Sequence, residues 1–341
     1  MPVKAEMNLL VSTVGASPPK INDSEGERAD YLSDVSPKHK PWDIHRSEAD
    51  EVEQIYGAGA TRRLQRMGDR VAQCSQVLHF ARDPPTKGKS KLKLKAAWFC
   101  RVRFCPICQW RRSMQWQARL YQALPQLLTD FPDARFLFAT FTIRNCAVEA
   151  VRYTLKLLAE GWKRLTELAL WPAIGWVRST EITRGKDGSA HPHLHALLMV
   201  NPDYFGDWYL QQHEWAEMWQ QSLRLPYKPI VDVRAIKQNT KRSSLNINNV
   251  NISHMWFIVS EILKYSVKPS DMMRDHDWFL TLSDQVVKTR AVAVGGVLRK
   301  YLKTRRREDL TQEPAEENPR SGAVDLFFGW NKPVKCYRKI V

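Results

Sequence analysis

Several features that would place this 341-residue chain in other protein classes are missing. No stretch approaches the roughly 18 consecutive apolar residues that a membrane-spanning helix needs. The first residues make a poor signal peptide, because Glu6 and Asn8 interrupt the apolar run. Residues 87–90 (KGKS) resemble the end of a phosphate loop, but Asp83 stands where that loop requires glycine. The sequence therefore predicts a cytoplasmic protein that is not an ATPase.

Acidic residues are scarce outside the N-terminal region. Residues 1–60 hold 6 Lys and Arg against 11 Asp and Glu, whereas residues 61–341 hold 46 against 25. A folded body this basic needs a polyanionic partner or a strongly solvated surface, although charge alone does not choose between DNA, RNA and a membrane. Residues 1–50 are polar, acidic and rich in Ser and Pro, which predicts a disordered tail.

Cysteines are few, and four of the six form a pattern typical of a zinc site. A Cys-Pro-x-Cys turn brings two thiolates together, and two upstream cysteines complete a tetrahedral set. The predicted ligands are Cys74, Cys100, Cys105 and Cys108. A redox dithiol is the competing interpretation, but no thioredoxin-like context surrounds the pattern.

The surroundings of this cysteine pattern give further expectations. His79 is a possible replacement for one of the cysteine ligands, and Cys146 and Cys336 remain as inert thiols. Four arginines crowd the cluster, so the zinc is expected to stabilise a basic surface that contacts DNA. The predicted DNA-binding residues are Arg101, Arg103, Arg111 and Arg112.

A histidine pair introduces the apolar segment 193–200 (HLHALLMV). Alternate side chains on a strand point to the same face, so His193 and His195 can share one ion. Glu181, near the end of the preceding predicted strand, is the expected third ligand, and His191 is a candidate for orienting the site. Two imidazoles and a carboxylate suit Mn²⁺ or Mg²⁺ with phosphate completing the shell. An isolated pair would fit surface histidines equally well.

Residues 252–268 have the apolar density of a helix with one buried face, ended by Pro269. On such a helix Glu261, Tyr265 and Lys268 stand at positions i, i+4 and i+7, along one side. A phenol can attack a phosphodiester and later leave, and a neighbouring cation helps it to ionise. The alternative interpretation is a surface ladder of Glu and Lys with an incidental Tyr.

These motifs together resemble those of HUH-type rolling-circle replication initiators of small plasmids. The matching segments are 136–145 (FLFATFTIRN), 191–200 (HPHLHALLMV) and 261–268 (EILKYSVK), and the likeness spans about residues 62–303. The chain resembles the branch that has one tyrosine and a glutamate four residues before it. This resemblance implies that Tyr265 forms a 5′-phosphotyrosine and leaves a 3′-hydroxyl primer, and that Glu261 assists a terminating hydrolysis.

The order of predicted elements favours an α+β fold. Strands at 136–142, 174–183, 193–200 and 230–236 suit an antiparallel sheet with helices at 109–128, 148–170 and 207–223 packed on one side, which the resemblance identifies as ferredoxin-like or RRM-like. The predicted units are a tail (1–50), a zinc-binding helical module (51–128), a catalytic domain (129–275), a basic helical extension (276–305), and a polar linker with an aromatic tail (306–341).

The expected partners follow from the resemblance. They are plasmid origin DNA with a hairpin or single-stranded nick site, and a host helicase and polymerase. Within the same chemistry, a mobilisation relaxase or a single-tyrosine transposase remains possible. From a different class, a zinc-dependent DNA-binding regulator without catalysis remains possible, because basic charge and a cysteine cluster would suffice for it.

Overall fold

A computed structural model describes residues 31–84, 91–236, 246–247, 250–251, 260, 262, 267–302, 309–313 and 321–340. The helices are α1 (Leu32–Val35), α2 (Lys40–Gly57), α3 (Arg62–Gln73), α4 (Pro106–Asp130), α5 (Val151–Leu165), α6 (Gln212–Leu223), α7 (Pro269–Arg274), α8 (His276–Gln285) and α9 (Leu298–Tyr301). The strands are β1 (Val77–Arg82), β2 (Leu92–Ala97), β3 (Arg135–Thr142), β4 (Ala173–Arg184), β5 (Ala190–Val200), β6 (Val231–Ala235), β7 (Asn246–Ile247), β8 (Val250–Asn251), β9 (Val292–Gly296), β10 (Val324–Asn331) and β11 (Cys336–Lys339).

A five-stranded antiparallel sheet with the order β6-β3-β5-β4-β9 forms the centre of the protein. The predicted strands match β3, β4, β5 and β6 to within three residues at each end. The central strand β5 is apolar on both faces, as expected for a strand covered on both sides. The predicted α+β class with an antiparallel sheet is therefore confirmed.

Helices cover both faces of this sheet, not one face as predicted. On one face, Leu194, Ala196 and Leu198 of β5 pack in a core with the aromatic residues of α5 and α6. On the other face, Leu197 and Met199 pack with α4 and α9. The sequence signal was the lack of alternation in β5, since both of its faces are buried.

A second, four-stranded antiparallel sheet has the order β11-β10-β1-β2 and was not predicted. Its buried face, which includes Phe80 and Phe328, shares one core with Trp42 of α2 and with the four predicted zinc ligands. After the central sheet the chain therefore returns to the second sheet, where β10 pairs with β1 across a long sequence separation. The aromatic tail does dock on the body, but as a strand.

The predicted disordered tail was too long. Residues 1–30 lie outside the described residues, but residues 31–50 belong to the folded body, with α2 beginning at Lys40. The side chain of Trp42 is fully buried, and Arg46 pairs with Asp50 at 2.6 Å inside the fold. The acidic composition misled the prediction, because these charges lie on an amphipathic helix whose apolar face packs on the second sheet.

The predicted basic helical extension was also wrong for residues 292–296. They form β9, which pairs with β4 at the sheet edge. Gly295 lies directly opposite Trp176, and a Cβ on Gly295 would approach the indole to 2.1 Å. Gly295 therefore makes room for an aromatic ring in a strand, whereas Gly296, at φ 57°, lies against the backbone of Ile174.

Among the described helices, none has the length and apolar character that crossing a membrane requires. This finding agrees with the absence of long apolar runs in the sequence.

Replacing Gly295 by Ala tests the strand assignment. The added methyl group would collide with the indole of Trp176, so we expect Gly295→Ala to lower the free energy of unfolding by about 1–3 kcal/mol. Urea denaturation measures this change. Gly57→Ala is the matched control, because its Cβ would meet no atom within 4 Å. Equal stability of the two variants would contradict the packing of β9.

Candidate metal centre and its surroundings

The two histidines and the glutamate singled out in the sequence come together on the central sheet. Antiparallel pairing places Glu181 of β4 directly opposite His193 of β5. The Oε2 atom of Glu181 lies 3.0 Å from Nε2 of His195 and 3.5 Å from Nε2 of His193, and the two Nε2 atoms are 3.2 Å apart. Ligands about 2.1 Å from one ion at right angles stand about 3.0 Å apart. The donor set therefore fits a divalent ion.

Neighbouring groups orient both imidazoles. The Thr140 hydroxyl on β3 lies 3.1 Å from Nδ1 of His195, and the backbone carbonyl of His191 lies 3.0 Å from Nδ1 of His193. Because a carbonyl only accepts, Nδ1 of His193 donates to it, which leaves Nε2 of the same ring on the side of Glu181. His191 is held in turn by Asn145, at 2.7 Å. The orienting role expected of His191 is thus carried by its backbone oxygen.

The centre is shielded on one side and open on the other. Glu181 and His193 are buried, at 5% and 8% exposure, whereas His195 is half-buried. Burial, and then the charge of His193, lowers the pKa of His191 below its usual range, so this third ring stays neutral near pH 7. An ion bound here would keep open positions toward the exposed side of His195.

The predicted nucleophile and its partner carboxylate, Tyr265 and Glu261, lie outside the described residues. Their described neighbour Ile262 is helical, 2% exposed, and packed in the core on the same sheet face as the candidate metal ligands. The hydroxyl of Ser179 donates a hydrogen bond to the carbonyl of Ile262. Since Ser179 pairs with His195 across the sheet, this bond attaches the segment beside the candidate metal centre.

Lys268 does not occupy the predicted helical position. It is exposed, has extended backbone angles (φ −69°, ψ 137°), and immediately precedes α7, which begins at Pro269. A residue before proline is pushed out of the helical region, so the proline begins a new helix here rather than ending the old one. The prediction that Lys268 stands at position i+7 from Glu261 on the same helix, one turn after Tyr265, was therefore wrong.

The four predicted zinc ligands form a buried cluster. Sulfur–sulfur distances are 3.7 Å between Cys74 and Cys108 and 3.6 Å between Cys100 and Cys108, and all four sulfurs, including that of Cys105, lie within 4.8 Å. A tetrahedral site with zinc–sulfur bonds of about 2.3 Å has sulfurs about 3.8 Å apart. Burial, and then its thiol neighbours, raises the pKa of Cys105, so a thiolate there requires a cation. The donor set fits zinc.

Three other sequence candidates lie apart from this cluster. His79 is 3.0 Å from Asp325 and stacks on Phe327 of the second sheet, so it does not replace a cysteine ligand. Cys146 and Cys336 are half-buried thiols outside the four-cysteine group.

The four arginines near the cysteines have different environments. Arg111 is fully buried, pairs with Glu313 at 2.6 Å and donates to the carbonyl of Leu310, so the predicted DNA contact for it is wrong. Arg103 donates to the carbonyl of Thr289 at 2.7 Å, and burial lowers its pKa to about 10. Both guanidinium groups donate hydrogen bonds to backbone carbonyls of segments that come later in the chain, and these bonds stabilise the fold.

Arg101 and Arg112 remain compatible with the predicted DNA contact. Arg101 is exposed and has a left-handed backbone conformation (φ 55°), and Arg112 donates to its carbonyl at 3.0 Å.

The sequence analysis missed two residues near the candidate metal centre. Thr140 contacts His195, and Ser179 contacts Ile262 in the neighbouring segment. The available signal was the period of two, since Thr140 lies on the metal-facing side of its strand.

Comparison with known proteins finds related replication proteins. Residues 91–337 match the family model described as replication protein. A protein rep from Lentilactobacillus hilgardii is 33% identical over 292 residues, covering 82% of this chain and 87% of the relative. A protein rep from Lactiplantibacillus plantarum is 35% identical over 251 residues, covering 70% and 75%. A replication protein from Staphylococcus aureus is 26% identical, covering 63% and 95%. Comparison with solved structures gave no significant match.

The orientation of His195 can be tested through its hydrogen-bond partner. We expect Thr140→Val to weaken Mn²⁺ binding about tenfold, because the valine cannot hold the Nδ1 atom of His195. Isothermal titration calorimetry measures the affinity. Thr142→Val is the matched control, since Thr142 lies on the same strand face but donates to the carbonyl of Ile230 at 2.8 Å. Equal weakening in both variants would refute the orienting role of Thr140.

Proposed function

This chain belongs to the replication protein family, and we propose that it initiates rolling-circle replication of a plasmid by nicking one strand of the origin. The observation that carries the proposal is the convergence of Glu181, His193 and His195 on one open centre of the sheet. Such a centre suits a phosphodiester, because oxygens of the substrate can complete the ion's coordination.

The described residues on either side of Tyr265 support the same proposal. Chain connectivity keeps the Cα of Tyr265 within about 11 Å of the Cα of Ile262. Ile262 is anchored by the hydroxyl of Ser179, which neighbours His195, and Val267 on the other side of Tyr265 is fully buried. Two buried anchors therefore flank the proposed nucleophile on a short stretch of chain.

In the proposed reaction, the phenol oxygen of Tyr265 attacks the scissile phosphorus. A tyrosyl–phosphorus bond forms, the bond from phosphorus to the 3′-oxygen breaks, and the proton lost by the phenol is matched by one gained at the 3′-oxygen. A divalent ion, when bound, withdraws negative charge from the phosphate oxygens. Glu181, His193 and His195 would hold that ion, and the products would be a 5′-phosphotyrosine and a 3′-hydroxyl primer.

Glu261 has a separate proposed role in termination. A carboxylate four residues before the tyrosine would deprotonate a water molecule for a second cleavage, which releases the copied strand by hydrolysis. Lys268, exposed at the start of α7, is available to contact a phosphate next to the cleaved one, although it does not share a helix with Tyr265.

The cysteine cluster is proposed to hold structural zinc. Its four thiols lie in the core shared by α2 and the second sheet, so the ion would stabilise this module rather than take part in cleavage. The module would present Arg101 and Arg112 to origin DNA. A host helicase and polymerase would act after the nick, since the sequence contains no phosphate loop of its own.

The nicking reaction gives the decisive test of this function. Supercoiled plasmid carrying the cognate origin, incubated with Mn²⁺, should be relaxed and should leave a covalent adduct on the protein. Tyr265→Phe should lose both signals by at least about a thousandfold, because it removes the attacking oxygen. Mass spectrometry of the cleaved oligonucleotide should locate the adduct on Tyr265.

Tyr153→Phe is the control, because Tyr153 is 65% exposed on α5 and outside the site. Relaxation without an adduct, or an adduct on another residue, would overturn the proposed mechanism. A wild-type protein that binds the origin but never nicks it would favour a non-catalytic regulator. Glu261→Gln should nick normally but accumulate products longer than one plasmid unit.

Zinc content provides an independent measurement. The purified protein should contain about one equivalent of zinc, and its removal by chelation or by Cys105→Ser should lower Tm by about 10 °C or more. Elemental analysis and calorimetry measure these quantities. Cys146→Ser, outside the cluster, should keep both the metal and the Tm. If the purified protein contains no metal and its Tm does not change when a chelator is added, a structural metal is excluded.

A further inference from the structure

A cavity of about 490 Å³ opens at the end of the central sheet that lies away from the candidate metal centre. Its walls come from the segment that enters β4, including Trp171, and from the segment that leaves β5, including Asp203. His195 precedes the end of β5 by five residues, so about 17 Å of strand separates it from the cavity. Both places can therefore be occupied at the same time.

The cavity has a rigid aromatic floor and an exposed aromatic rim. Tyr204 accepts a hydrogen bond from the indole N–H of Trp215 at 3.1 Å, and Trp171 packs edge-on against Trp215 at 5.9 Å. At the rim, Trp208 is 68% exposed and Tyr209 is 53% exposed. A cluster of large, solvent-exposed aromatic side chains is typical of an interaction surface.

The charge of this region is opposite to that of the protein. Residues 165–172 and 201–214 contain none of the 52 Lys and Arg residues of the chain but four carboxylates. Among the residues that the structure describes, Asp203 and Asp207 make no side-chain hydrogen bond or ion pair, and both line the cavity. Their negative charge is therefore uncompensated beside a group of aromatic rings.

We propose that this cavity binds a lysine or arginine side chain presented by an apolar segment of a partner protein. The ammonium or guanidinium group would lie between Asp203 and Asp207, against the face of Trp208 or Tyr209, where it gains both ion-pair and cation–π energy. The exposed Leu170 and the aromatic rim would contact the apolar residues that flank the basic side chain.

Charge complementarity selects this occupant over nucleic acid. Phosphates would be repelled by Asp203, Asp207 and Glu214, which all line the cavity, whereas a basic side chain is attracted. Because the cavity is remote from the candidate metal centre, the partner would be able to stay bound while the face that carries this centre holds DNA. The inference goes beyond nicking and does not require that the proposed cleavage chemistry be correct.

An array of 12-residue peptides tests the proposal. Each apolar peptide carries Lys, Arg, Gln or Glu at its centre, and the labelled full-length protein is the probe. We expect Lys and Arg peptides to be retained and their Gln counterparts to bind about tenfold more weakly in fluorescence anisotropy. Asp203→Asn/Asp207→Asn should abolish the preference for a basic residue. Trp208→Ala should weaken binding to every basic peptide.

Matched controls separate this site from general charge effects. Asp133→Asn/Asp277→Asn makes the same change in net charge at exposed positions outside the cavity and should leave binding unchanged. Trp98→Ala removes another exposed indole, 51% exposed, and should also be neutral.

Three results would overturn the proposal. They are no preference for basic peptides, equal loss in the control variants, and a concentration-dependent dimer that Asp203→Asn/Asp207→Asn dissociates. The last would identify a second copy of this chain as the occupant. Origin nicking by the cavity variants should equal that of the wild type, so failure of the cleavage chemistry and failure of the docking site are distinguished.

Discussion

The register between β4 and β5 is the constraint on which the candidate centre depends. It sets Glu181 opposite His193, and alternation along β5 then adds His195 to the same face. A slip of one residue would turn both imidazoles toward the core that packs on α5 and α6, where Leu194 and Ala196 now lie. Because β5 is buried on both faces, its register with β4 is fixed. The same residue pairs between β4 and β5 therefore determine both the packing of the core and the positions of the candidate metal ligands.

The two sheets are joined by specific polar contacts. Tyr56 of α2 lies 3.0 Å from the hydroxyl of Ser283 on α8, and Arg103 beside the cysteine cluster donates to the carbonyl of Thr289 just before β9. Because β9 pairs with β4, the cysteine module is connected to the strand that carries Glu181. The cysteine module is thereby held at a fixed position relative to the candidate metal centre.

Sequence periodicity was sufficient to predict the central strands and which side chains come together in the two candidate metal sites. The H-x-H alternation and the Cys-Pro-x-Cys turn are local patterns, so these groupings could be predicted before the fold. The second sheet could not, because β10 pairs with β1 more than two hundred residues away, and neither strand is strongly patterned. Arg111 was misassigned for a similar reason: its partner Glu313 lies far along the chain, and sequence alone cannot distinguish a buried guanidinium from an exposed one.

The position of β10 between β1 and β11 has a consequence for biosynthesis. When β1 and the four cysteines leave the ribosome, β1 lacks a neighbour that is translated roughly 250 residues later, and closing such a long loop is slow. The cysteine module therefore reaches its final form only after residue 339 has been synthesised. A nascent or prematurely terminated chain would carry its candidate metal ligands on an unfinished body, so the protein reaches its complete fold only when translation is complete.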